Sequence, residues 1–382
     1  MKFSGKELTS GAVTMPGAMG FDYRPQGVGP RRLPDWTKPQ LPAMLSVMVR
    51  MPSGVRLVFE TDAQEIRLQA LVTRFQRPGN ANESVVFELE TMAGDRQKVE
   101  MHDGNKLIID DDKANGFTLE RGQTGTVVFD NLPPGRKQLM LWLPHNAYVE
   151  LVSLQATAAK TFRAIRQEGR RWYHYGSSIS HCMEAISPAD IWPAVAARKG
   201  GAVLHNLGFG GQCHLDPFVA RTLRDSDAEF ISIKVGINII NMDSMRERIF
   251  LPLLHGFIDT IREAKKLTPI LLVSPIFCPS AETCPGPTLA NEEGVFKTFG
   301  GNEHLRQGCL TLVRVRRLIS EFVQLRQDEN LAYLDGLALF SEDDAKDLPD
   351  DLHPNPAGYI RMGTRFAEAV FSEQGILTQL KS

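Results

Sequence analysis

The chain has 382 residues, of which 42% are hydrophobic and 23% charged, an ordinary globular composition that excludes wholesale disorder. The 43 Lys and Arg residues nearly balance the 45 Asp and Glu residues, for a formal net charge of −2. This balance argues against a nucleic-acid or anionic-membrane partner. No apolar run approaches the ~18 residues of a membrane span. No apolar signal core opens the chain, and we expect a soluble, cytoplasmic protein.

The cysteines and histidines give no indication of a metal site. The five cysteines are odd in number and include no CxxC pair, so neither a disulfide framework nor a thiolate zinc site is expected. His174, His205 and His214 lack the spacing of a metal-binding motif. Phosphate-binding and dinucleotide-binding glycine loops are also missing from the sequence. We therefore predict no metal and no cofactor, in a reducing compartment.

The first part of the chain predicts β-structure. After a Gly- and Pro-rich start, hydrophobic residues recur at every second position, as at Val85, Phe87 and Leu89. The run at 139–143 is apolar throughout, so we expect it to be buried on both faces. Short strands separated by turn residues indicate an antiparallel β-sandwich, of jelly-roll type. We assign this domain to residues 1–164.

The second part, residues 165–382, alternates short apolar strands with longer helical segments. The predicted strands are 172–176, 202–207, 230–235, 269–275 and 331–337, and the predicted helices are 189–199, 217–224, 245–266, 303–326 and 356–371. This alternation predicts an α/β domain with a parallel sheet and helices on both faces.

Residues with catalytic potential follow successive strands of this sheet, where open α/β sheets place their sites. Ser178 follows the first strand, Gly211 the second and Asn238 the third, and Asp350 and His353 precede the last helix. Each residue alone is more often structural, but their joint placement suggests catalysis. A serine needs a base, which His353 can supply, and Asp350 can orient the imidazole ring.

The same set of residues contains donors for a negative oxygen. The backbone N–H groups of Ser178 and Gly211 and the side-chain amide of Asn238 would supply three. Glycine at position 211 would let the backbone approach a substrate without a Cβ atom in the way.

The blocks Gly-x-Ser-Ile, Asn-x-Gly-x-x-Gly, Gly-x-Asn and Asp-x-x-His-Pro-Asn occur in this order and resemble those of the SGNH/GDSL serine hydrolases. The family nucleophile falls on Ser178, its oxyanion residues on Gly211 and Asn238, and its acid and base on Asp350 and His353. The resemblance implies a three-layer α/β/α, flavodoxin-like domain.

The nucleophile block Gly-Ser-Ser-Ile-Ser-His is similar to that of the GSSIT-type branch, with Ser177 in place of the Asp of the GDSL motif. Cys182 and Asp351 stand where the family more often has glycine, and Asp351 remains an alternative to Asp350 as the third member of the triad. The order of the two domains is similar to that of salicylyl acyltransferases of tetracycline tailoring and their relatives.

Four more residues are candidates for substrate contacts: Ser177, His181, Cys278 and Glu282. His181 lies three residues after the nucleophile, and a structural role at the helix start is an equal alternative. Cys278 and Glu282 lie in a segment that is similar to the loop over the active site in the GSSIT branch. The basic run at 314–317 is expected to form a solvated helix face.

The sequence therefore predicts a serine esterase or acylhydrolase that cleaves an ester of a small molecule or sugar through an acyl-serine. An acyltransferase with a thioester or ester donor is the alternative, because both reactions share the acyl-enzyme. A third hypothesis is a non-catalytic carbohydrate-binding protein, in which the N-terminal domain resembles a carbohydrate-binding module. The expected partner is a small-molecule acyl ester or thioester, and a homo-oligomer stays open.

Overall fold

The computed structural model describes residues 1–76, 83–109, 117–300 and 303–380. The chain forms two compact units. The first comprises Met1–Glu168 and Ile186–Ala189, and the second comprises Gly169–Ala185 and Asp190–Ser382.

The first unit consists mainly of β-strands. Its strands are β1 (Lys2–Ser4), β2 (Gly20–Tyr23), β3 (Val28–Arg31), β4 (Arg56–Thr61), β5 (Glu65–Gln76), β6 (Val85–Thr91), β7 (Arg96–Met101), β8 (Asn105–Ile109), β9 (Phe117–Glu120), β10 (Gly125–Phe129), β11 (Lys137–Trp142), β12 (Ala147–Thr157) and β13 (Phe162–Ala164). Its helices are α1 (Gly5–Glu7) and α2 (Ala43–Val49), with a π-helical turn at Leu8–Ala12 and a 3-10 helix at Asp35–Gln40.

These strands form two sheets around one core. The larger sheet has the order β2-β3-β12-β5-β8-β9, with β1 beside β12 and β10 beside β5. The smaller sheet has the order β13-β4-β11-β6-β7. Strand β5 pairs in parallel with β8 and antiparallel with β10 and β12. Buried side chains from both sheets, among them Ile66, Leu68, Phe87 and Leu141, pack in a shared cluster.

The apolar run at 139–143 is buried on both faces, which confirms the prediction. Each of its five residues is at most 5% exposed. The leucines belong to the shared cluster. Trp142 makes other contacts: its indole N–H donates to Glu90 at 2.9 Å, and the Arg56 guanidinium lies 4.9 Å from its ring centre.

The second unit alternates strands and helices. Its strands are β14 (Arg170–Gly176), β15 (Ala202–Gly208), β16 (Phe230–Lys234), β17 (Ile270–Val273), β18 (Thr288–Ala290), β19 (Phe296–Thr298) and β20 (Leu331–Leu334). Its α-helices are α3 (Ser178–His181), α4 (Trp192–Lys199), α5 (Pro217–Asp225), α6 (Ile237–Asn241), α7 (Glu247–Arg262), α8 (Leu312–Arg326), α9 (Pro356–Phe371) and α10 (Ile376–Gln379). Short 3-10 helices lie at Pro279–Ala281, Glu303–Leu305, Gly336–Ala338 and Glu342–Asp347.

The main sheet of this unit has the order β15-β14-β16-β17-β20, and its strand pairs are parallel. The chain passes from β14 to β15 at one edge and then returns to β16 on the other side of β14. Loops diverge where the strand order reverses, and open α/β sheets bind ligands in the crevice outside the carboxyl ends of such strands. The residues after β14 and β16 therefore flank the expected site.

The five strands predicted for this sheet are present, and α9 has the predicted limits. The prediction of one helix over 303–326 is wrong in its first part, because α8 begins at Leu312. The Thr311 side chain accepts the Arg314 N–H and caps the helix at this point. A turn closed by the Cys309 N–H precedes it, so the chain does not continue as a single helix.

An aromatic cluster fills the core beside β14. Trp172 is 0% exposed and stacks on Phe366 with ring centres 5.0 Å apart. Phe230 stacks on the same indole at 6.1 Å. The indole N–H donates to the hydroxyl of Ser232 at 2.7 Å, so the ring is fixed by packing and by a hydrogen bond.

We expect Trp172→Ala to lower the free energy of unfolding by roughly 3–5 kcal/mol, because it leaves a large cavity and removes the hydrogen bond from the indole to Ser232. The measurement is urea denaturation followed by circular dichroism. Leu267→Ala is the control, since Leu267 is 69% exposed. Equal midpoints for both variants would contradict the central role of this indole.

Candidate functional site

The nucleophile predicted from the sequence lies in a tight turn between β14 and α3. Ser178 is the first residue of α3, and Ser177 is the N-cap, whose hydroxyl accepts the Ile179 N–H at 3.3 Å. Helix α3 lies directly against the end of β15: a Cβ atom on Gly208 would come within 2.4 Å of the Ser180 backbone. The helix start is thus presented at the carboxyl edge of the sheet.

A buried histidine holds this turn from below. Both ring nitrogens of His174 lie 2.7 Å from serine hydroxyls, Nδ1 from Ser232 and Nε2 from Ser180. Burial lowers the pKa of His174 to about 3, helped by the charge of Lys234, so the ring is neutral. The Asn206 amide also donates to the Ser180 carbonyl at 2.8 Å. His174 is therefore a structural residue beneath the candidate nucleophile.

The structure brings Ser178, His353 and Asp350 together. His353 Nε2 lies 2.9 Å from Ser178 Oγ, and its Nδ1 lies 2.7 Å from Asp350 Oδ2. The other Asp350 oxygen accepts the backbone N–H groups of His353 at 2.6 Å and Leu352 at 3.0 Å. Asp351 instead pairs with Lys297 at 2.7 Å. Asp350 is thus the aspartate that contacts the ring.

Opposing effects set the protonation of this pair. Burial tends to lower the pKa of His353, but the Glu184 charge and the hydrogen bond to Asp350 raise it above its ordinary value. Burial tends to raise the pKa of Asp350, but the hydrogen bond with His353 lowers it below its ordinary value. The pair therefore favours a carboxylate next to an imidazole that accepts a proton readily.

Asn238 is the predicted oxyanion donor whose orientation is fixed most clearly. It lies in α6, directly after β16, and is 4% exposed. Its Oδ1 accepts the Cys213 N–H at 3.0 Å. Its Nδ2 group has no hydrogen-bond partner among the residues that the structure describes, so it can donate to a ligand.

The backbone conformation of Gly211 favours its residue type. Its φ is +67°, in the left-handed region that favours glycine. A Cβ atom there would meet open space, so the described structure shows no crowding at this position. The oxyanion roles of Gly211 and of the Ser178 N–H remain predictions.

The four predicted substrate-contact residues make contacts within the protein. Ser177 caps α3, and His181 is 0% exposed. The Cys278 N–H donates to Glu282 at 3.1 Å. Both Glu282 oxygens bond the guanidinium of Arg316, at 2.6 and 2.7 Å. Substrate contact by these four residues stays a prediction.

The solvated face predicted at 314–317 is wrong for Arg316. This side chain is buried, and besides pairing with Glu282 it donates to the carbonyls of Pro275 and Ile276, each at 2.9 Å. Arg316 therefore ties α8 to the loop after β17. A one-dimensional charge pattern could not separate this inward arginine from its outward neighbours.

Sequence reasoning missed two residues next to His353. The Phe296 ring meets the imidazole edge-on, with ring centres 5.7 Å apart. The backbone N–H of Phe296 donates to the Asp350 carbonyl at 3.0 Å. A Glu184 oxygen lies 3.9 Å from His353 Nδ1. Neither residue belongs to a recognisable block, and only the folded chain brings them to the ring.

Cys182 and Cys213 lie close to the site in sequence but are not activated thiols. Both are buried. Burial raises the pKa of Cys213 to about 12 and holds that of Cys182 well above its ordinary value. Thiolate chemistry is therefore unfavourable at both positions.

Residues 1–76, 83–109, 117–300 and 303–380 contain no helix with both the length and the apolar character needed to cross a membrane. Nor do they contain three or more His, Cys, Asp or Glu side chains grouped to hold a metal ion.

Residues 174–361 match the sequence model of the GDSL-like lipase/acylhydrolase family. Apart from Ile186–Ala189, the match lies within the second unit, and the sequence resemblance is confirmed. The protein is an ester-acting enzyme of this kind, a hydrolase or an acyltransferase.

Over nearly its whole length the chain is similar to the salicylyl-acyltransferase SsfX3 from a tetracycline biosynthetic pathway. The two are 26% identical with a TM-score of 0.77, over 96% of this chain and 94% of that one. Family two carbohydrate esterases share the fold. That of Clostridium thermocellum, in complex with cellohexaose, is 14% identical with a TM-score of 0.57, covering 93% and 97% of the two chains. That of Cellvibrio japonicus is 12% identical with a TM-score of 0.58, covering 96% of each. No curated protein sequence matches the chain.

The geometry predicts the titration of His353. We expect its pKa, measured by NMR of the labelled ring, to lie above the ordinary value of about 6.5. Asp350→Asn should lower this pKa because it removes a carboxylate at 2.7 Å. Asp351→Asn is the matched control and should leave it nearly unchanged. A larger change from Asp351→Asn would show that the wrong aspartate has been assigned to the ring.

Proposed function

We propose that this enzyme is a serine esterase or acylhydrolase that cleaves an ester of a small molecule or sugar through an acyl-Ser178 intermediate. The observation that carries the proposal is the continuous hydrogen-bond chain from Ser178 through His353 to Asp350. It links a polar hydroxyl at the edge of the sheet to a base, and that base to a carboxylate. This is the arrangement that activates a serine for acyl transfer.

In the first half-reaction, Ser178 Oγ attacks the ester carbonyl carbon while His353 Nε2 takes the hydroxyl proton. The carbonyl π-electrons move to oxygen, and the resulting oxyanion accepts hydrogen bonds from the N–H groups of Ser178 and Gly211 and from Asn238 Nδ2. Asp350 stabilises the imidazolium through Nδ1. The C–O bond to the alcohol then breaks, His353 protonates the leaving oxygen, and acyl-Ser178 remains.

In the second half-reaction, His353 removes a proton from an acceptor that attacks the acyl-serine. Water as acceptor gives a carboxylic acid and free Ser178, which is hydrolysis. An alcohol or amine acceptor gives a transferred acyl group. The acyltransferase alternative is supported by the 26% identity with a salicylyl-acyltransferase over 96% of this chain. In both cases the proposed partner is a small-molecule acyl ester or thioester.

The proposal also covers the layers of the second unit, the type of the first unit, the cellular location and the non-catalytic alternative. The contacts of α4 with α9 and of α5 with α7 support helices layered on both faces of the parallel sheet. We assign the two sheets of the first unit to a jelly-roll-like domain. The five cysteines are free, which supports a reducing, cytoplasmic location. The match to a hydrolase family model argues against the non-catalytic carbohydrate-binding alternative.

A fluorophosphonate probe tests the proposed nucleophile. We expect the wild-type protein to be labelled on Ser178, and Ser178→Ala to lose labelling and roughly 1,000-fold or more of its p-nitrophenyl acetate turnover. Ser226→Ala is the control, because it removes another hydroxyl, one that bonds the Leu223 carbonyl at the end of α5. Retained turnover by folded Ser178→Ala would move the nucleophile to another residue.

The two neighbouring aspartates provide an internal comparison. Asp350→Asn should reduce kcat/KM by roughly 100-fold or more, because the imidazolium loses its carboxylate and the ring its orientation. Asp351→Asn should reduce kcat/KM only slightly, since Asp351 pairs with Lys297. Steady-state kinetics of both variants, with circular dichroism to verify folding, decide the assignment. The reverse order of losses would exclude Asp350.

Mass spectrometry separates hydrolase from transferase. The protein is incubated with acyl p-nitrophenyl esters, and the mass of the Ser178 peptide is followed over time. An adduct that decays at the same rate with and without added alcohols or amines indicates hydrolysis. An adduct that persists in water and decays only with an acceptor indicates acyl transfer.

A further inference from the structure

A second carboxylate lies beside the candidate catalytic histidine. Glu184 follows α3 in the chain, and its Oε1 lies 3.9 Å from His353 Nδ1, the nitrogen that Asp350 contacts at 2.7 Å. Its other oxygen accepts the Tyr359 hydroxyl at 2.7 Å. Tyr359 lies on α9 and is 0% exposed, so a fixed group holds the Glu184 carboxylate at this place.

The contacts of the two Glu184 oxygens differ. Oε2 is used by Tyr359, whereas Oε1 has no hydrogen-bond partner among the described residues. The Glu184 side chain is 37% exposed, so part of its carboxylate is in contact with solvent. A separation of 3.9 Å is too long for a hydrogen bond, but it is short enough for a direct charge interaction with an imidazolium.

The groups around the His353 ring come from several elements. Asp350 lies in the same loop and Ser178 in α3, while Glu184 follows α3 and is held by Tyr359 of α9. From β19, Phe296 presents an uncharged ring edge. The neighbouring Lys297 and Asp351 neutralise each other in an ion pair. Among the residues that the structure describes, Glu184 and Asp350 are therefore the net charges that act on this ring.

Resting on the proposed function, we propose that Glu184 is a positioning residue for His353. It stabilises the imidazolium that forms when Ser178 gives up its proton, and it takes over the Nδ1 hydrogen bond when Asp350 is removed. Two carboxylates therefore serve Nδ1 of His353. Asp350 contacts it, and Tyr359 holds Glu184 close enough to replace Asp350 when that residue is removed, which we call the reserve role of Glu184. The direction of the His353 pKa agrees, since the Glu184 charge opposes the lowering effect of burial.

The pH dependence of kcat/KM tests the charge interaction. The acidic limb reports the pKa of His353 in the free enzyme, since the base must be neutral. Glu184→Gln removes a negative charge, disfavours the imidazolium and should move this limb to lower pH by about half a unit. Tyr359→Phe should move it in the same direction, because the carboxylate is released. Glu368→Gln, on the exposed face of α9, is the matched control and should leave the limb in place.

A double-mutant cycle tests the reserve role. Alone, Glu184→Gln should lower kcat/KM about threefold, as expected for a half-exposed charge pair. In an Asp350→Ala background, Glu184→Gln should lower kcat/KM at least about tenfold, because the remaining carboxylate that orients the ring is lost. NMR titration of His353 in all four proteins supplies a readout that a purely structural defect would not move in this pattern.

The outcomes separate the inference from the proposed function. An unchanged acidic limb in Glu184→Gln, together with equal losses in both backgrounds, overturns the role of Glu184. If Ser178→Ala keeps its turnover, the proposed nucleophile fails, whatever Glu184 does to the His353 titration. Glu184→Gln can also shift the acidic limb of kcat/KM while lowering kcat/KM equally in the wild-type and Asp350→Ala backgrounds. In that case the charge interaction stands and the reserve role is overturned.

Discussion

The close packing of α3 on the ends of β14 and β15 is the constraint on which the rest of the site depends. The short helix carries Ser178 at its first position. The Ser180 backbone packs so close to β15 that any side chain at position 208 would collide with it. His174 and Asn206 bond Ser180 from the strands below. Because this turn is fixed from beneath by buried polar groups, the Ser178 hydroxyl has a defined direction toward His353.

The same residue type serves two opposite purposes in this unit. His174 is deeply buried with neutral serine partners, and its pKa falls to about 3. His353 is only partly covered and faces the carboxylates of Asp350 and Glu184, so its pKa rises. Desolvation decides the pKa in the first case. In the second it is still the largest single effect, but the hydrogen bond to Asp350 and the charges of both carboxylates together outweigh it. The environment therefore makes one imidazole a permanent structural link and the other a group able to exchange protons near neutral pH.

Much of the second unit could be predicted from sequence because its strands are short apolar runs and its polar residues cluster where those runs end. The approach of Asp350 to His353 is local, three residues apart, and so could also be anticipated. Glu184 and Phe296 could not, since each reaches the ring from a distant segment through tertiary packing.

The boundary of α8 depended on a cap at Thr311, which apolar periodicity does not report. Backbone conformation explains why glycine is frequent at two positions where this chain departs from the family pattern. Cys182 and Asp351 stand where glycine is frequent, and their φ values are +61° and +63°, in the left-handed region. Glycine adopts this conformation without strain, whereas other residues need support from their surroundings. A sequence block shows such a substitution but not the dihedral angle beneath it.

The buried ion pair between Arg316 and Glu282 has a consequence for redesigning this enzyme. Arg316 belongs to α8, while its partner and two of its carbonyl acceptors belong to the loop after β17. Transplanting that loop from a relative without its arginine, or the arginine without its loop, would strand a charge in the protein interior. Chimeras that exchange the loop and helix as a single module would keep the pair intact.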